Sequence, residues 1–153
     1  MIKASTNIRT FTAANSSDRL HHLVIRIATG DQAAFRCLYA FQVMRVWRDA
    51  IRVLPHPVDA RAVTRSTFVE VWHLAGHHVD DAWVDNRAWI AAITVRRAND
   101  RLRAADWQCP IDGDYDRHTH LELAALLGAG HATIRTGPAI FTRVDDLDLN
   151  LAA

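Results

Sequence analysis

Five arginines, Arg87, Arg96, Arg97, Arg101 and Arg103, fall in a stretch whose only acid is Asp100. If the stretch is helical, Arg97 and Arg101 share one face, and Arg96 and Arg103, two turns apart, share another. Such a face can follow a phosphate backbone, because each guanidinium contact releases condensed counterions and adds sequence-independent affinity. The same composition also suits a solvated basic helix. Just upstream stands Trp83, between acids and outside any apolar period. It is either a platform on which an unstacked base can lie, at roughly 1–3 kcal/mol per base, or a lid folded back on its own domain. Trp47, Trp72 and Trp89 fall on apolar helical stripes and are expected in the core.

Other chemistry is poorly represented. His73 and His77 are four residues apart and His118 and His120 are close together, but no carboxylate or cysteine joins them in a ligand frame. No metal and no cofactor is expected. Nucleophile, P-loop and dinucleotide signatures are lacking, so the chain reads as a protein without catalytic activity. Cys37 sits in an apolar helical pattern and Cys109 beside a proline, and neither reads as a disulfide partner.

With 153 residues, half of them hydrophobic, the chain can bury one ordinary core. Its formal charge of +1 conceals an asymmetry: residues 1–104 carry a net +6 and residues 105–153 a net −5. A polyanionic partner for the first part follows from that division, as does masking of the basic helix by the acidic tail; ordinary surface charge would look the same. No apolar run approaches the roughly 20 residues that span a bilayer, and the N-terminus lacks a signal-peptide core. The expectation is a cytoplasmic protein with no membrane association.

The elements that position these residues are helices. Residues 1–16 read as a flexible leader. Ser17 or Asp18 can cap a first helix carrying Leu20, Leu23, Val24 and Ile27, which Gly30 ends. Asp31 caps a second, with Ala34, Phe35, Leu38, Phe41, Val46 and Ile51, running to about Leu54, where Pro55 and Pro57 break the chain. Asp59 opens a third as cap or first-turn anion; Val63, Phe68, Val71, Trp72 and Ala75 form its stripe, and Gly76 is expected to close it. A loop from His77 to Asp85 leads to a fourth helix from about Asn86 to Ala105, on Trp89, Ile90, Ile93 and Leu102. No useful strand alternation occurs, so the class is all-α, with Phe35, Leu38, Phe68, Trp72, Trp89 and Ile93 in one core over residues 17–105. Residues 106–153 read as an acidic, irregular tail with at most one short helix, from about His118 to Leu127.

Three phrases stand in a telling order: Gly30-Asp31-Gln32-Ala33-Ala34-Phe35, Phe68-Val69-Glu70-Val71-Trp72, and Arg87-Ala88-Trp89 followed by Asp100 and Arg101. Together they resemble the N-terminal, region 2 domain of the extracytoplasmic-function sigma factors of the sigma-70 family, from about Leu20 to Arg103. The resemblance implies a compact helical domain that docks on core RNA polymerase through its third helix, with Asp59, Arg61, Arg65, Phe68 and Trp72 in that region. It further implies that the loop and fourth helix hold the promoter −10 element as single-stranded DNA, through Trp83, Arg87, Arg96, Arg97, Arg101 and Arg103.

Two departures from the family pattern are visible. The third helix of the family is acidic and carries a Gln-Glu pair, whereas this chain has Arg61, Ala62, Arg65 and Ser66 there. Like charges facing across an interface can cost several kcal/mol. Nor does the tail contain the amphipathic helix pair of a helix-turn-helix promoter reader, the family's region 4. Two functions follow: a single-domain initiation factor, or a sigma-derived interaction module that binds an anti-sigma factor or modulates polymerase without initiating transcription.

Overall fold

The computed structural model describes residues 5–79, 85–106 and 113–128, with side chains from residue 16 onward. Five helices make up these residues, with no strand among them: α1 (Ser5–Ala28), α2 (Gln32–Val53), α3 (Pro57–Val79), α4 (Asn86–Asp106) and α5 (Gly113–Leu127). The fold is all-α, as the periodicity requires.

Two short connections set the geometry. After α1, Gly30 takes φ +84, its N–H donates to the Ile27 carbonyl and the Asp31 N–H to the Arg26 carbonyl, the double closure that ends a helix through a left-handed residue. Asp31 then caps α2: its Oδ1 accepts from the Ala34 N–H at 3.0 Å while Oδ2 accepts from Arg26 Nε and Nη2 at 2.8 and 2.6 Å. One carboxylate thus ties the end of α1 to the start of α2. Between α2 and α3, Leu54 is extended, as a residue before proline must be, and Pro57 opens α3, where its missing N–H costs nothing.

Helix α3 is the axis of the molecule and packs against each of the other four. That explains its sequence. A helix with neighbours on every side buries most of its circumference, and small residues (Ala60, Ala62, Thr64, Ser66, Thr67, Ala75) let those neighbours approach. Its buried hydroxyls turn back on their own helix: Thr64 donates to the Ala60 carbonyl, and Ser66 and Thr67 both donate to that of Val63. The main core gathers Leu20, Val24, Phe35, Leu38, Phe68, Val71, Ile90 and Ile93, with Trp72 and Trp89 packed at its margin. Phe35 meets Phe68 and Trp72 edge-on, and Tyr39 meets Phe68 with ring centres 4.7 Å apart. A smaller cluster of Ala50, Leu54, Ala60, Val63 and Ala98 closes the other end.

Three expected boundaries move. Helix α1 begins at Ser5, not Ser17: residues 5–17 contain no proline or glycine, so a helix nucleated by the packed residues beyond propagates back through them. Gly76 does not close α3. It lies inside the helix, where a Cβ would meet nothing within 4 Å, and the helix runs on because His78 is buried beyond it. The helix of the tail starts at Gly113 rather than His118 and is packed, with Leu123 and Leu126 in the main core. Its C-terminus is held by Arg36, whose Nε donates to the Leu126 carbonyl at 3.3 Å beside Gly128 at φ +87. Residues 107–112 and 129–153 lie outside the described residues.

Candidate nucleic-acid interface

Helix α4 is capped by Asp85, whose side-chain oxygen accepts from the Arg87 N–H at 2.9 Å and whose carbonyl accepts from that of Trp89. Its Ile90, Ile93, Thr94 and Ala98 are buried, which turns the arginines to the remaining face. The end of α3 is fastened to this start. His78 stacks on Trp89 with ring centres 3.8 Å apart and planes 6° from parallel. His78 Nε2 donates to Asn86 Oδ1 at 2.9 Å, and Asn86 Nδ2 donates to His21 Nδ1 at 3.3 Å. Trp83 lies outside the described residues, but both flanks of its segment are fixed by this network.

The arginines of α4 are engaged by acids of the same chain. Arg97 Nε donates to Glu70 Oε2 at 2.6 Å, Arg96 reaches the other oxygen of Glu70, and Arg101 Nε donates to Asp59 Oδ1 at 2.9 Å. Asp59 precedes Glu70 while Arg101 follows Arg97, so α3 and α4 run antiparallel. The remaining partners come from α5. Tyr115 OH accepts from Arg97 Nη1 at 2.8 Å, and both oxygens of Asp116 accept from Arg101 Nη1 at 3.0 and 2.9 Å. The Arg97 guanidinium also lies over the Tyr115 ring, 5.8 Å from its centre. Burial works against the charge on both guanidiniums, yet their acidic partners outweigh it: Glu70 for Arg97, and Asp116 with Asp59 for Arg101, hold both pKa values above the ordinary arginine value.

Availability differs between the two pairs. The Arg97 and Arg101 side chains are 30% and 16% exposed and doubly paired, whereas Arg96 and Arg103 are 55% and 68% exposed. Arg103 pairs with Asp100 one turn away, a solvated contact that holds it weakly. Arg87 is partly buried, and its Nε has no hydrogen-bond partner among the described residues.

On α3, Asp59 is held by Arg101, and Arg61 and Arg65 are partly buried. Phe68 is fully enclosed in the core, so its side chain offers no surface to a partner and supports the helix from within. Trp72 is partly buried against Phe35. Sequence reading missed Glu70, Tyr115 and Asp116. Glu70 was legible: eleven residues after Asp59 is three helical turns, so both acids share the face that meets α4. Tyr115 and Asp116 gave no local signal, because their partners are set by how α5 packs.

Among the described residues no helix is long and apolar enough to cross a membrane, and no group of three or more His, Cys, Asp or Glu could hold a metal ion. No family model matches the chain, and no solved structure matches it significantly. Among curated proteins it is 34% identical over 88 residues to the ECF RNA polymerase sigma factor SigK of Mycobacterium ulcerans (strain Agy99). Identity is 38% over 88 residues to SigK of Mycobacterium bovis (strain BCG / Pasteur 1173P2), and 32% over 84 residues to SigK of Mycobacterium sp. (strain KMS). These matches cover 55–58% of this chain and 43–46% of the relatives, so the chain spans less than half the length of the relatives it matches.

Proposed function

We propose that this chain, which carries a segment homologous to the extracytoplasmic-function RNA polymerase sigma factors, is a sigma-like transcription initiation factor without catalytic chemistry of its own. It binds core RNA polymerase through α3 and engages the single-stranded −10 element along α4 and the Trp83 segment. It works in the cytoplasm. The carrying observation is the coincidence of that homology with a capped α4 that presents Arg96 and Arg103 to solvent with Arg97 and Arg101 beside them. Guanidiniums spaced along one helix suit a phosphate backbone, and a tryptophan suits an unstacked base.

A second reading has its own support. Arg61 and Arg65 place cations on the helix that the family uses to meet polymerase, and Asp59 is already occupied by Arg101. Both features suit a module that binds an anti-sigma factor or modulates polymerase without initiating. Adding the purified chain to core polymerase and a promoter-containing duplex separates the two. Strand opening, read by permanganate reactivity of thymines, supports initiation; polymerase or anti-sigma capture without opening supports the module; neither capture nor opening refutes both.

A further inference from the structure

We infer that α5 is a built-in competitor for the strand-binding face of α4, presenting to Arg97 and Arg101 the two chemical groups that a single-stranded nucleic acid would present. The inference rests on the strand-binding reading of α4 given above. A nucleic-acid strand offers a guanidinium an anionic oxygen pair on each phosphate and an aromatic face on each base. Asp116 sets both carboxylate oxygens on Arg101 Nη1, and Tyr115 sets its ring beneath the Arg97 guanidinium while its hydroxyl accepts from Nη1. The two neighbouring residues thus stand in for one phosphate and one base. A strand cannot reach these guanidiniums in the same geometry while α5 is seated.

The helix is built so that this end can be given up. Its C-terminal half is anchored by apolar burial of Leu123 and Leu126, by Arg36 on the Leu126 carbonyl, and by Glu122, which pairs with His73 at 2.5 Å. Its first turn is different in kind: Gly113, Asp114 and Tyr115 are exposed, and its contacts with α4 are charged or polar. Contacts of that type weaken with salt and exchange readily for a phosphate, whereas the apolar anchor does neither. Strand binding therefore lifts the Tyr115–Asp116 end while the Leu123–Leu126 end stays docked. Net affinity is the difference between the two occupants.

The test is fluorescence anisotropy of a labelled single-stranded oligonucleotide with the full chain, the parent against Tyr115→Phe, Asp116→Asn and the double variant. Asp18→Asn, an exposed acid on α1, controls for general charge, and circular dichroism confirms folding. Expected are a small gain for Tyr115→Phe, which changes no charge, and about five- to tenfold tighter binding for the double variant, with a steeper salt dependence as Arg101 becomes available. Hydrogen exchange in residues 113–117 of the parent should rise on adding oligonucleotide, while exchange in 121–127 should not. If the parent binds and the variants bind no tighter than Asp18→Asn, the competitor role is overturned and the strand-binding reading stands. If neither parent nor variants bind at low salt, both fall.

Discussion

Replacing Glu70 by glutamine tests the arrangement of α3 and α4 directly, because it keeps the shape of the side chain and removes one charge. The Glu70 side chain is only 10% exposed and its carboxylate serves two guanidiniums. The bond from Arg97, 2.6 Å long and partly buried, belongs to the charge-assisted class worth roughly 1.5–3 kcal/mol. The contact from the more exposed Arg96 is screened and contributes roughly 0.2–1 kcal/mol. Glutamine retains one acceptor oxygen but turns an N–H₂ group towards a cation, so part of one bond survives and the net loss is about 1–2 kcal/mol. That is a large fraction of a domain stability of roughly 5–15 kcal/mol. Urea unfolding followed by tryptophan fluorescence measures it, and double-mutant cycles with Arg97→Met and Arg96→Met apportion it. The coupling should be larger to Arg97 than to Arg96. A Glu70→Gln change within about 0.5 kcal/mol of the parent, or a larger coupling to Arg96, would refute the argument from burial.

Phe68→Ala, at the centre of the aromatic cluster, should cost about 3–5 kcal/mol in the same unfolding assay, and Trp89→Ala less, since Trp89 is only partly buried against His78; the reverse order would show the core misassigned. Asp31 makes a prediction about acid. The Ala34 N–H first, and Arg26 with it, hold the Asp31 carboxyl below the ordinary carboxylate range, so the folded state takes up this proton less readily than the unfolded chain. Its stabilisation is complete above about pH 4 and is lost as pH falls through the lowered folded value, so Asp31→Asn should flatten the acid limb of a stability–pH curve; identical limbs in the two proteins would remove this role. On the polymerase side, Arg61→Glu with Arg65→Glu should strengthen capture of core polymerase by removing two cations from the docking helix, and unchanged or weaker capture would favour the interaction module.

Where local chemistry decided the structure, the sequence was legible. Gly30 followed by Asp31 can hardly be anything but the end of one helix and the cap of the next, and Pro55 and Pro57 leave little choice between α2 and α3. The errors came where tertiary packing overrode a local rule. Gly76 is a poor helix former, but about 1 kcal/mol against alanine is a small cost beside burying His78 on Trp89. The segment from Gly113 to Arg117 read as irregular tail because its residues include Gly, Asp and Arg, and the buried apolar positions of the helix, Leu123 and Leu126, arrive only at the far end. The arginines of α4 were visible as a pattern, but their partners were not, since Asp116 is near Arg101 only once α5 is docked on α3.

The position of α3 accounts for the electrostatics of the whole face. A helix surrounded by four others has little room for charge, and the acids it keeps, Asp59 and Glu70, are taken up by α4. Both are already counted in the net +6 of residues 1–104, so of the three acids on this face only Asp116 from α5 draws on that basic excess. A strand meeting this face therefore finds Arg96 and Arg103 first. It gains Arg97 and Arg101 only by replacing acids already bound there. Salt should weaken both the strand and its internal rivals, but α5 is covalently tethered and held by an apolar anchor, so the intramolecular contact loses less. Binding of a single strand should accordingly fall less steeply with salt in the parent than in the Tyr115→Phe, Asp116→Asn double variant, because the rival's own loss offsets part of the strand's, and a titration of both chains from low to physiological salt reads that difference directly.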